Sequence, residues 1–170
     1  MYVDWDMISC IDMLIEHNYS VREPLLESLE QLDRKDFTRS LGKGKSSIRN
    51  ILVHLMNSEI YWMNVIGDED THSLDPEEFA DLNTIATTWK QIENEMRDVL
   101  GNQSDASLQY VKRLRIGDDT ISFTIARALL HMVTHEAHHR GFIVGLLRQM
   151  GYQPPNVNML REIRIDDGLL

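Results

Sequence analysis

Four stretches of this chain place apolar residues at the three-and-four spacing that gathers them on one side of an α-helix. The first runs from about Asp4 to Leu32, with Ile8, Ile11, Leu14 and Ile15, then Leu25, Leu26, Leu29 and Leu32. Pro24 lies inside it and is expected to kink it or split it in two, because proline lacks an N–H and its ring crowds the preceding turn. Gly42 and Gly44 then mark a loop, with Ser46 or Ser47 as the cap of a second helix. That helix carries Ile48, Ile51, Leu52, Leu55, Trp62 and Ile66 and should stop before Gly67. A polar link from Asp68 to Asp81, with Pro76 inside, precedes a third helix over about Leu82–Leu100, which Gly101 closes. Its apolar side is Ile85, Trp89, Ile92, Met96 and Val99. The fourth starts at Ser122 or Thr124 and runs to about Met150, before Gly151.

Between Leu108 and Phe123 the period changes. Tyr110, Val111, Leu114 and Ile116 alternate loosely, Gly117-Asp118-Asp119 makes a turn, and Ile121 and Phe123 follow, which predicts a short hairpin. Four amphipathic segments otherwise predict an all-α fold, a four-helix bundle. The connections at 33–46 and 68–81 are long, and the second could cross the whole bundle and leave its flanking helices parallel. The fourth helix is apolar on the side of Ala126, Leu130, Val133 and Val144 as well. Such a face needs a cover: a second subunit, giving a homodimer, or another part of the same chain.

A length of 170 residues suits one domain over 1–170 with a real core, and 42% apolar residues is ordinary for a globular protein. A net charge of −10 argues against nucleic acid or an anionic lipid surface as partner, since both need clustered Lys and Arg. No apolar run is long enough for a membrane span, and the start, MYVDWDMISC, lacks the basic segment of a secretory signal. Cys10 is the single cysteine, so no internal disulfide forms and a reducing, cytoplasmic setting is expected. One cysteine also rules out thiolate cages, so any bound metal must use nitrogen and oxygen.

That matters because four of the seven histidines fall in one short segment, ALLHMVTHEAHHRGF. His131, His135 and His139 are successive i, i+4 neighbours and share a helix face. Two imidazoles one turn apart clamp a transition metal, so His131 with His135, or His135 with His139, could supply two ligands. A third should come from another helix, and His54 is favoured: it is mid-way along the second, near the edge of its apolar face, and is expected to be deep enough to need a hydrogen bond or a metal. His135-Glu136-Ala137-His138-His139 also spells H-E-x-x-H, in which the glutamate is the general base of a zinc hydrolase. That reading is the weaker one: no histidine follows His139, Glu162 is the candidate third ligand, and the chain has little strand for a protease cleft. The simpler role of Glu136 is a helix-surface pair with Arg140.

These residues resemble the DinB/YfiT-like metal-dependent proteins. Two segments carry the resemblance: SSIRNILVHLMNSEIYWMNVIG, with its serine-led helix and mid-helix histidine, and LLHMVTHEAHHRGFIVGLLRQMG, similar to the family's H-x-x-x-H-R-G-Q. Phe142 stands where that pattern commonly has Gln. The resemblance implies an up-down-down-up four-helix bundle with a long crossover between its second and third helices, often dimeric. It also implies a divalent metal held by His54, His135 and His139, with His138 outside the set and His131 of undetermined role. Zinc, nickel or iron would suit such a site. Some members are thiol S-transferases, so the resemblance implies a metal-dependent transferase or hydrolase on a small molecule, with a low-molecular-weight thiol as partner. The rival reading is a non-catalytic protein with a structural or sensing metal.

Other side chains read as ordinary. Cys10 is expected in the core, His17 and His72 in solvent, and Glu59 at the surface or behind the site. The tail from Tyr152 is expected to lie over the surface, and Arg140 is a second-choice anchor for an anionic substrate.

Overall fold

The computed structural model describes residues 6–40 and 47–160. Gly42, Gly44, Ser46 as an alternative cap, and Glu162 lie outside the described residues. Four long helices form a bundle: α1 (Met7–Leu29), α3 (Ile48–Gly67), α4 (Leu82–Gly101) and α6 (Ile125–Gln149). Short helices α2 (Arg34–Thr38) and α5 (Asp105–Leu108) sit between them, and strands β1 (Val111–Ile116) and β2 (Asp119–Thr124) form the expected hairpin.

Each long helix starts where a short polar side chain can take an unpaired backbone N–H. Asp6 accepts from Ser9 on α1, Ser47 from Asn50 on α3, Asp81 from Thr84 on α4 and Thr124 from Arg127 on α6. Two boundaries differ from expectation. The helix around Pro24 is a single unbroken element, since proline costs one ladder bond while packing on both sides holds the axis. And α3 includes Gly67, its end being formed by Asp68 in the left-handed region at φ 59°, where Lys112 grips the Asp68 carboxylate at 2.6 Å.

Helix directions follow from side-chain pairings. Glu16 meets Arg97 and Arg22 meets Glu93, so α1 and α4 are antiparallel. Asn18 reaches Val133 and Arg22 reaches Glu136, so α1 and α6 are parallel. Trp62 packs on Phe123 and His131, and His54 on His135 and His139, so α3 and α6 are antiparallel. Hence α3 and α4 run the same way, and the arrangement is up-down-down-up. A helix of 20 residues is roughly 30 Å long, so the link at 68–81 must return along the bundle, which its extended reach of about 45 Å allows. Three tethers to α3 mark its path: Asn64 to Asp70, Asn57 to both backbone polar groups of Leu74, and Arg49 to Glu77.

The core is built on Ile11, Ile15, Leu25 and Leu29 of α1, Leu52, Leu55 and Met56 of α3, Ile85, Trp89 and Met96 of α4, and Leu129, Ile143 and Leu147 of α6. Ala126, Val133 and Val144 are buried by the chain itself and only Leu130 of that face is exposed, so the expected subunit cover is unnecessary for those three. Cys10 is exposed, not core. Among the described residues no helix is long and apolar enough to cross a membrane.

Candidate metal centre

His54 leaves α3 at the edge of its apolar stripe, and His135 and His139 leave α6 one turn apart. Because the two helices are antiparallel neighbours, the three rings meet. One nitrogen from each lies within 4.8 Å of the others. His54 Nε2 and His135 Nε2 are 3.2 Å apart. That is close to the ~3.3 Å edge between two imidazole nitrogens on a tetrahedral zinc, given Zn–N bonds of about 2.0–2.1 Å. His54 was expected to be deep; it is exposed, while His135 and His139 are half-buried, so the cluster opens to solvent.

The electrostatics favour the ligating form. Partial burial, then the repulsion of His139, His54, His131 and His138, pushes the His135 imidazolium down to about 4. Burial, then His54 and His138, also lowers His139. Both rings are therefore neutral near pH 7, with lone pairs available. Three imidazole nitrogens with no anionic ligand fit a divalent transition ion, and they leave coordination positions open. His131 stacks on His135 at 5.8 Å between centroids and meets Trp62 edge-on at 5.3 Å, outside the cluster. His138 touches His139 edge-on and is also outside it. His72 is exposed and His17 partly so, both away from the cluster.

The interior beneath is the feature that the sequence reading missed. Arg22 of α1, 4% exposed, stands in the middle of the bundle and donates to glutamates from three helices. Its contacts are Glu59 of α3 at 2.8 Å, Glu93 of α4 at 3.3 Å and Glu136 of α6 at 2.5 and 3.1 Å. Tyr19 and Trp89 donate to Glu59, each at 3.0 Å, and their rings sandwich the guanidinium at 4.5 and 4.4 Å. Arg140 donates to Glu136 and to Asn18, which itself donates to the Val133 carbonyl. Lys90 at the rim takes the second oxygen of Glu93, so three cations balance three carboxylates. Among the described residues no buried side-chain polar atom lacks a partner. Burial works against the charge on Arg22, but Glu136 and Glu59 overcome it and hold the guanidinium firmly protonated. Burial raises Glu59 despite Arg22.

This corrects three expectations. Glu59 and Glu136 are core residues, and Arg140 is too deep to meet a substrate. Both oxygens of Glu136 are held by arginines inside the bundle, whereas His135 and His139 are only half-buried. A general base of the H-E-x-x-H kind has no candidate in that residue. The signal was nonetheless present. Arg22 continues the run Ile11, Ile15, Asn18, Leu25, Leu29 at heptad spacing, and Glu59 and Glu136 likewise stand on apolar stripes.

The family model for the "DinB family" matches residues 1–167. The chain belongs to the DinB family. Among curated relatives it is 26% identical to Protein DinB of Bacillus subtilis over 149 residues, covering 82% of this chain and 85% of that protein. Among solved structures, YfiT from Bacillus subtilis superposes with TM-score 0.65 at 20% identity, over 84% of this chain and 89% of YfiT. YfiT is described as "a probable metal-dependent hydrolase with an unusual four-helix bundle topology". A DinB-like protein from Bacillus cereus ATCC 10987 aligns with TM-score 0.63 at 18% identity, over 80% of this chain and 89% of that one. At these identities the two structures show a shared fold, the up-down-down-up bundle of this DinB-family chain.

Proposed function

We propose that His54, His135 and His139 hold a divalent transition metal, and that this DinB-family protein is a metal-dependent transferase or hydrolase acting on a small molecule, thiol transfer being favoured. The observation that carries the reading is the meeting of three imidazoles from α3 and α6 at a mouth open to solvent. The description of YfiT as "a probable metal-dependent hydrolase" supports the same direction. A cation on three neutral ligands would lower the pKa of a bound thiol or water and so supply a nucleophile at neutral pH. The interior beneath already satisfies its own charges, so the bundle does not need an ion to close its core. This favours a working site over a purely structural one.

Cobalt substitution tests the proposal. The cobalt protein should gain a sulfur-to-metal charge-transfer band on addition of a low-molecular-weight thiol. Loss of bound metal in each of His54→Ala, His135→Ala and His139→Ala should accompany it. Full metal retention in all three variants would overturn the ligand set. An unchanged spectrum in a protein that binds cobalt stoichiometrically would leave a structural or sensing metal as the better reading.

A further inference from the structure

A second feature adjoins the histidines. The β1–β2 hairpin packs over α3 and α6 and leaves a cleft of about 340 Å³ between them. In the hairpin register Leu114 faces Ile121, and Ile116 and Phe123 lie on the same side of the ribbon, so the part of that face that lines the cleft is apolar, with Lys112 and Asp119 of the same side outside it. Only Phe123, against Trp62 at 5.6 Å, is buried; Ile116 is 56% and Ile121 41% exposed, both lining the cleft. The floor is Trp62 and the end nearest the metal centre is His131, which stacks on His135. At the other end stands Arg127, exposed and, among the described residues, engaged in no ion pair. Arg127, His131, His135 and His139 are spaced by four and form one stripe on α6. Arg127 therefore lies about 12 Å along the axis from His135.

We infer that this cleft is the binding site for the apolar body of the substrate: an aryl or branched-alkyl carboxylate whose anionic group meets Arg127 and whose far end reaches the histidines. The volume is of small-molecule size. Aromatic walls with one cation at the end select an amphiphile over a sugar or a nucleotide, whose several polar groups would find no partners there. A ligand would also cover the hairpin's exposed isoleucines, which none of the described residues covers. As a substrate subsite the cleft rests on the metal reading proposed above; as a binding site it does not, so the two can be measured separately.

The probes are 4-phenylbutyrate and its uncharged counterpart 4-phenyl-1-butanol, titrated calorimetrically into the full chain with and without zinc. Saturable one-to-one binding of 4-phenylbutyrate is expected in both states. Arg127→Gln, at an exposed helix position, should weaken the carboxylate about tenfold and leave the alcohol within about twofold. Replacing both exposed isoleucines, Ile116→Ser with Ile121→Ser, should weaken both probes by about tenfold. No saturable binding, or affinities unmoved by either variant, would overturn the inference. So would a change from dimer to monomer in the isoleucine variant with probe affinity unchanged, which would make this face a contact between copies. Zinc stoichiometry on the same samples separates the readings. Zinc bound without probe binding defeats the cleft alone, and probe binding by a protein that takes up no zinc when zinc is supplied defeats the metal site alone.

Discussion

The two faces of α6 carry ionisable side chains under opposite conditions. Glu136 and Arg140 point inward, and every polar atom they bury has a protein partner drawn from α1 or from α6 itself. His135 and His139 point outward, lie against like groups from α3 and α6, and hold their nitrogens towards a shared point. A satisfied buried network has nothing left to offer a ligand; converging neutral donors at a mouth do. The difference separates groups that fix the bundle from groups left available to a ligand, although the two kinds alternate within a single turn. The inner set also sets the outer one. Glu59 lies five residues after His54 and Glu136 lies beside His135, so the arginine between those carboxylates fixes how α3 and α6 present their histidines.

Breaking the inner set should have the largest effect. Arg22→Met leaves buried carboxylates without their central cation, and a loss of about 3–5 kcal/mol in urea unfolding is expected. A loss below 1 kcal/mol would show that the carboxylates take up protons at little cost. The outer set should respond only through its ligand. Zinc at a hundredfold excess over its Kd should stabilise the protein by about 2.7 kcal/mol, and His135→Ala should abolish this gain. In the absence of metal the same variant should unfold within about 0.5 kcal/mol of the parent, as expected of a partly exposed position. Equal zinc stabilisation of parent and variant would remove His135 from the site.

The smallest effect is on pH. His135 is held at about 4 in the folded chain against an ordinary 6.5, so the unfolded chain takes this proton first. Stability of the metal-free protein should therefore fall as pH drops from about 6.5 towards about 4, and this contribution should level off below that. Solvent screening at a half-buried ring keeps the loss modest. Subtracting the His135→Ala titration from that of the parent isolates it. No difference between the two curves would mean that the ring is not held neutral by burial and its neighbours.

Much of the frame was legible before any coordinates. Short polar caps, glycines and three-and-four spacing located the four long helices to within a few residues, and alternation located the hairpin. The imidazole pair on α6 was legible because its spacing is local. What escaped was the layer of charge across the core. Each helix shows one or two polar residues on its apolar stripe, which read as surface positions when helices are taken one at a time. Only the packing of α1, α3, α4 and α6 at one level turns these exceptions into a network. His54 was misplaced in depth for the complementary reason: a position at the edge of a stripe is buried or open according to how the neighbouring helix is inclined. Pro24 was overrated because its cost falls on one ladder bond in a helix held by many contacts.

The return of the chain along α3 has a consequence for how the protein is made. In a bundle of consecutive hairpins each helix can dock on the one before it. Here α1 packs chiefly on α4 and α6, and the ion pair that ties it to α6 joins residues 114 positions apart. As the chain leaves the ribosome, the set of carboxylates around Arg22 stays incomplete until Glu136 has been synthesised. The native interior can be assembled only after nearly the whole polypeptide has emerged, and folding should be slower than in a bundle of the same size joined by short turns.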